Sequence, residues 1–178
     1  MEHNLTGDQV FLEYLTQNDV DQIFQWLKDE EFKKLLFYQY YPPKSEKIIE
    51  EINKSCEEKK NHEFMIFEKN TKEKIGWAGI YEIDKICNNG EIRFFIGNKN
   101  FWGKGFGTEV VKLLLDLGFK KFKLHRIYGG ANIENFASVK IFKKLNFVKE
   151  GISREAFFKN GKYYDLVHFG LINSNHLP

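Results

Sequence analysis

Between Phe101 and Glu109 the chain reads Phe-Trp-Gly-Lys-Gly-Phe-Gly-Thr-Glu, with glycines at 103, 105 and 107. Glycine has no Cβ, so such a bend can take positive φ and let an anion approach the main chain closely. From Thr108 to Phe122, Val110, Val111, Leu114, Leu115 and Phe119 recur at helical spacing. The first N–H groups of a helix have no partner inside it, and the positive pole of the dipole lies at the same end. The bend is therefore an anion site, to which Lys104 adds a point charge. A Walker A loop does not fit, because Lys104 precedes Gly105 rather than Ser or Thr. A dinucleotide fingerprint lacks its third glycine, where Thr108 stands, and no acidic residue follows about 20 positions on. A plain helix start is the alternative reading.

The elements around the bend must position it. Glu91 to Ile96 reads as a strand leading into it, after a turn at Asn88-Asn-Gly90. With Glu63 to Phe67 and Ile75 to Tyr81, joined by the polar turn Lys69 to Lys74, it makes an antiparallel meander. Val10 to Leu15 is a first strand, and Thr16-x-x-Asp19 opens a helix carrying Val20, Ile23, Phe24 and Leu27. Pro42 and Pro43 make Leu36 to Pro43 a loop, and Ser45 caps a second helix to about Glu58. A short strand at Ile127 and Tyr128 and a helix from Asn135 to Leu145 follow. Asn160-Gly161 then turns a hairpin between Ala156 to Phe158 and Tyr163 to Leu171. The expected fold is α/β (α+β): one domain, residues 1–178, with a mixed, largely antiparallel central sheet of about seven strands and about four helices. A hydrophobic content of 42% in 178 residues suffices for one core.

Bulk properties exclude several partners. Twenty-seven basic and 25 acidic residues leave a net charge of +2, so no global field favours nucleic acid. Lys120, Lys121 and Lys123 suit the negative end of a helix as a solvated face. Cys56 and Cys87 form neither a disulfide framework nor a metal-binding pair, which fits a reducing cytoplasm; no metal is expected. No stretch approaches the ~18 apolar residues of a membrane span, and Met1 to Gly7 do not read as an export signal.

Several segments in register resemble the GNAT superfamily of N-acetyltransferases. Trp102-Gly-Lys-Gly105-Phe-Gly107 is similar to its motif A, Gln/Arg-x-x-Gly-x-Gly/Ala. Asn135-x-x-Ser138, then Lys144-Leu-Asn-Phe147, looks like motif B, and Glu91 to Gly97 looks like the strand before motif A. With Leu124-His-Arg-Ile127 and Gly161-Lys-Tyr-Tyr-Asp165, the resemblance covers nearly the whole chain. It is strongest to the subgroup of ribosomal-protein alanine, polyamine and amino-sugar acetyltransferases. The resemblance implies acetyl-CoA as cofactor, its pyrophosphate on the main chain of Trp102, Gly103, Lys104, Gly105, Phe106, Gly107 and Thr108. The pantetheine arm would lie along Phe94, Phe95, Ile96 and Gly97. Motif B would add Asn135, Ser138, Phe142 and Lys144, although Asn135 could equally be only a helix cap.

A thioester is already activated, so a neutral amine can attack it without a covalent enzyme intermediate. A lysine-like amine of pKa ~10.4 costs roughly 4–5 kcal/mol to deprotonate at pH 7, and an α-amine near ~8 little more than ~1. Glu91 is the candidate base by its position in the resemblance; a surface ion pair is its rival role. Asp165 and His125 are weaker candidates. Phe142 stands where the family has a tyrosine acid, so Tyr164, with Tyr163, is the substitute donor, unless both only pack. Phe37, Tyr38, Tyr40 and Tyr41, with Trp77, are assigned to the acceptor, or else form a hydrophobic lid. The activity expected is acetylation of a primary amine on a small molecule, such as a nucleotide-linked amino sugar. A ribosomal protein N-terminus and a polyamine are the alternatives, and a non-catalytic acyl-CoA-binding module is the different class. A homodimer is the assembly considered.

Overall fold

The structure is a computed structural model and describes residues 5–36 and 62–174. The helix expected from Ser45, and the aromatic residues Phe37, Tyr38, Tyr40 and Tyr41, lie outside the described residues. In chain order come strands β1 (Leu5–Thr6) and β2 (Val10–Tyr14), then helices α1 (Val20–Lys28) and α2 (Glu30–Leu35). The meander is β3 (His62–Glu68), β4 (Lys74–Asp84) and β5 (Asn89–Ile96), followed by α3 (Phe106–Asp116). Strand β6 (Arg126–Asn132), helix α4 (Phe136–Lys144), and the hairpin β7 (Val148–Lys159) and β8 (Lys162–Ile172) complete the described elements. The strands form one sheet in the order β1-β2-β3-β4-β5-β6-β8-β7. All neighbours are antiparallel except β5 and β6. This is the expected mixed α/β sheet, with eight strands rather than seven. The additional one is β1, whose two residues are too few to show a period.

Alternation along each strand sends successive side chains to opposite faces. Ile92, Phe94 and Ile96 of β5 join the core beneath α3, built from Phe64, Ile66, Ile80, Val110, Val111 and Leu114. Phe95 joins the core on the other face, beneath α1 and α2, with Trp26, Leu27, Phe32, Met65 and Trp77. Glu91 and Arg93 share the parity of Phe95 and so face the α1/α2 side.

Several boundaries differ from the sequence expectation, three of them for clear local reasons. The turn into β5 spans residues 85–88 rather than Asn88 to Gly90, because Asp84 Oδ1 accepts the N–H groups of Ile86 and Cys87 and closes it earlier. The long helix starts at Phe106 rather than Thr108 and widens into a π turn at Leu117–Lys121. There Gly118 lies so close to β6 that a Cβ would stand 2.6 Å from Ile127 Cδ1. Strand β7 starts at Val148 instead of Ala156. It is an edge strand with mostly exposed residues, so no hydrophobic alternation marks its first half.

The start of α1 is fixed by a buried carboxylate. Asp19 Oδ2 accepts from Thr16 N at 2.8 Å and Thr16 Oγ1 at 2.7 Å, and Oδ1 pairs with Lys74 Nζ at 2.7 Å. Burial pushes the Asp19 carboxyl up, but the bonds from Lys74 and Thr16 outweigh it and hold the pKa below the usual carboxylate value. Its contribution to stability is thus complete above the ordinary value and is lost as pH falls through the lowered one. We predict that Asp19→Ala costs about 2 kcal/mol at pH 7, modest for a buried pair because Lys74 is one-third exposed. In urea unfolding the gap from wild type should shrink as the pH is lowered through that range.

Candidate active site

Strands β5 and β6 pair only through Asn89–Arg126, Gly90–Ile127 and Glu91–Tyr128. Beyond Glu91 they part, while β5 stays paired with β4 as far as Ile96–Gly76. Between them opens a cavity of about 360 Å³ whose wall draws on both faces of the sheet. Phe32, Leu35 and Leu36 line it from the α1/α2 side, and the glycine bend, Asn135, Ser138, Ile141 and Lys144 line it from the other.

At the mouth stands the bend itself. Gly103 and Gly105 have φ of 73° and 94°, and Gly105 is the N-cap of α3. Among the described residues no protein acceptor takes the main-chain N–H groups from Gly103 to Thr108. A Cβ on Gly103 would meet nothing within 4 Å, so the approach is open. Trp102 Nε1 donates to Ile96 O at 2.7 Å, pinning the bend to the end of β5. Glu109, in the first turn of α3, accepts from Gln9 N and Nε2 and ties the helix to the turn before β2. Consecutive free amides at a helix N-terminus, facing open space, fit the diphosphate of a coenzyme. Asn135 Oδ1 accepts from Ser138 N at 3.1 Å, so Asn135 caps α4 while it also lines the cavity.

Glu91, Phe95, Ile96, Trp102, Gly103, Gly105, Phe106, Gly107, Thr108, Asn135, Ser138 and Lys144 are thus brought to one cavity. The other residues singled out from the sequence stand apart from its wall. Lys104 is exposed in the bend, its Nζ 6.0 Å from the Phe101 ring centre. Gly97 packs on Trp26, whose ring would lie 2.2 Å from a Cβ. Phe142 is fully buried among Phe94, Phe147 and Phe169. Trp77 is buried and stacked on Phe95 at 4.5 Å. Tyr164 stacks on Phe157, and Asp165 Oδ1 accepts from Glu155 N. The Leu124–Ile127 link sets the start of β6, where the main chain of His125 bonds to Asn88 and Asn173.

A second cavity, of about 540 Å³, shares Glu91, Arg93 and Gly130 with the first. It adds Arg126, Tyr128, Glu150 and His168, none of which was assigned to the site from the sequence. Their only signal was strand alternation, and it becomes informative once the registers are known: Glu91 opposite Tyr128, and Gly130 opposite His168. The charges are paired, Arg93 with Glu91 at 2.5 Å and with Glu82 at 3.3 Å, and Arg126 with Glu150. Burial, and then the charges of Glu82 and Glu91, push the Tyr128 phenol up, so it stays a neutral hydroxyl at physiological pH. Arg126 holds the Glu150 carboxyl below its usual range.

A sheet parted beside a glycine-lined helix start defines an acyl-coenzyme A-dependent transferase. A model of the GNAT acetyltransferase domain matches residues 9–148. The chain is 32% identical over 170 residues to an uncharacterized N-acetyltransferase, p20, of Bacillus licheniformis, spanning 94% of this chain and 95% of the relative. It is 32% identical over 130 residues to a spermidine N(1)-acetyltransferase of Vibrio cholerae, 72% of this chain and 74% of that one. The crystal structure of a Vibrio cholerae spermidine N-acetyltransferase with CoA and spermine superposes with a TM-score of 0.84 at 26% identity, covering 94% of this chain and 98% of that one. The chain belongs to the GNAT acetyltransferase family, and its activity is acetyl-CoA-dependent N-acetyl transfer.

The bend can be tested on its own. Gly105→Ala puts a Cβ on a left-handed residue, which costs about 1–2 kcal/mol or rotates the amides out of line. We predict a folded protein whose Kd for acetyl-CoA, by calorimetry, rises at least about tenfold. Unchanged affinity would mean that the pyrophosphate lies elsewhere.

Proposed function

We propose that the protein acetylates a primary amine of a small molecule by direct attack in a ternary complex. The pantetheine arm lies between β5 and β6 along Phe95 and Ile96, and the amine arrives from the second cavity. The observation that carries this reading is that Glu91, Arg93 and Gly130 belong to both cavities, so that thioester and amine would meet at Glu91. The main chain from Gly103 to Thr108 holds the pyrophosphate, and Asn135, Ser138 and Lys144 flank the coenzyme. Glu91, directly or through a water, takes one proton from the incoming ammonium and leaves a neutral amine. The amine nitrogen then bonds to the acetyl carbon and the C–S bond breaks. A thiol of ordinary pKa ~8.5 is a stable enough leaving group to be protonated late by water or a nearby hydroxyl.

Paired charges in the second cavity support a monoamine, such as an amino sugar, over a polycation, because among the described residues no acidic surplus lines it. The polyamine reading is favoured instead by the similarity to spermidine acetyltransferases. A mass-spectrometric panel of D-glucosamine, a nucleotide-linked amino sugar, spermidine and an alanine-initiated peptide separates them, and we expect the amino sugars to be acetylated fastest. Glu91→Gln should lower turnover about 10- to 100-fold at pH 7 and much less at pH 9.5, where the amine arrives neutral. Equal loss at both would remove Glu91 from proton handling.

A further inference from the structure

Resting on that reading, we propose that His168 is a catalytic residue, the imidazole on which the acceptor's proton comes to rest before it leaves for solvent. Glu91 can receive the amine, but its carboxylate is already held by Arg93 through contacts of 2.9 and 2.5 Å. Both contacts go to Oε2, so Glu91 is committed to orienting Arg93 as well as receiving the amine, and a second group beside it can hold the proton.

His168 stands opposite Gly130 on β8, and Gly130 belongs to both cavities. Cross-strand partners point to the same face, and Tyr128 and Gly130 share it with Glu91. The imidazole therefore opens onto the cavity that Glu91 also lines, where the ammonium would sit. Imidazole is the side chain whose ordinary protonation range spans neutral pH.

The groups around it are accounted for. Ser153 Oγ lies 2.8 Å from His168 Nε2 on the β7 side. Glu150 of β7 is near enough for its charge to feel His168, and it is paired with Arg126 of β6. Tyr128 of β6 remains a neutral phenol, and Arg93 of β5 is matched by Glu91 and Glu82. The imidazole thus faces paired charges and the nearby Glu150 carboxylate. The transfer requires the tautomer in which Nε2 donates to Ser153 Oγ, so that Nδ1 keeps the lone pair that takes the proton.

The balance is simple. One proton of the ammonium passes by way of Glu91 to Nδ1, which leaves a neutral nucleophile. Its nitrogen bonds to the acetyl carbon as the C–S bond breaks, and the second N–H proton ends on the departing sulfur as the thiol. His168 then returns the first proton to water.

The test compares wild type with His168→Gln, which keeps a side-chain donor toward Ser153, using the best acceptor among D-glucosamine, spermidine and an alanine-initiated peptide. In wild type the acid limb of the kcat–pH profile should fall in the imidazole range. In the variant, kcat at pH 7 should drop about 100-fold and the limb should move up to the amine's own range. Acetyl-CoA affinity and Tm should stay at wild-type values, which sets this apart from a structural role. Profiles that superpose would overturn the proposal. Imidazole nitrogen shifts by NMR give a reading that needs no acceptor: Nε2–H with Nδ1 bare supports it, and the opposite tautomer at neutral pH contradicts it.

Discussion

Parallel pairing of β5 with β6 ends after three residue pairs, and two main-chain edges part where a sheet would ordinarily continue. The opening is maintained from both sides. The end of β5 is tied to β4 and, through Ile96 O, to the Trp102 indole. Strand β6 is drawn the other way by seven residue pairs with β8. At Gly129 a Cβ would stand 2.9 Å from the Phe142 ring and 3.0 Å from Ile92 O, so the two strands and α4 converge where the gap begins.

From that separation the chemistry follows in order. The gap gives a slender acyl chain a route through the sheet, and the bend beyond β5 places free amides and a helix pole at its mouth. Side-chain parity then puts Glu91, Arg93, Tyr128 and His168 on the face opposite α3, so the acyl carrier and the nucleophile can reach one point from different sides. Asp19 and Glu109 act further out, the first holding the start of α1 to β4 and the second holding α3 to the turn before β2. They keep the walls in place and need touch no ligand.

Much of this was legible in the residues. The bend, the helix after it, the meander and the Asn135 cap all rest on short-range rules of glycine, capping and periodicity, which act within a few positions. The residues proposed for the coenzyme, one contiguous stretch and one helix start, were legible as a cluster for the same reason. The boundaries that shifted did so where a side chain or a neighbour intervened, as Asp84 did in the turn before β5. The cavity proposed for the acceptor was not legible. Arg93, Tyr128, Glu150 and His168 meet only through the register of four strands, and no local pattern encodes which residue of β6 faces which of β8. Phe142, assigned to the coenzyme by its motif B position, and Trp77, assigned to the acceptor, illustrate the converse: both pack into the core.

The most direct measurement of the central claim is a crystal structure of the protein with CoA. The account requires the pyrophosphate oxygens within hydrogen-bonding distance of main-chain N–H groups between Gly103 and Thr108, with the pantetheine arm between β5 and β6. Coenzyme bound with its pyrophosphate away from that bend, or its arm outside the gap, would contradict it.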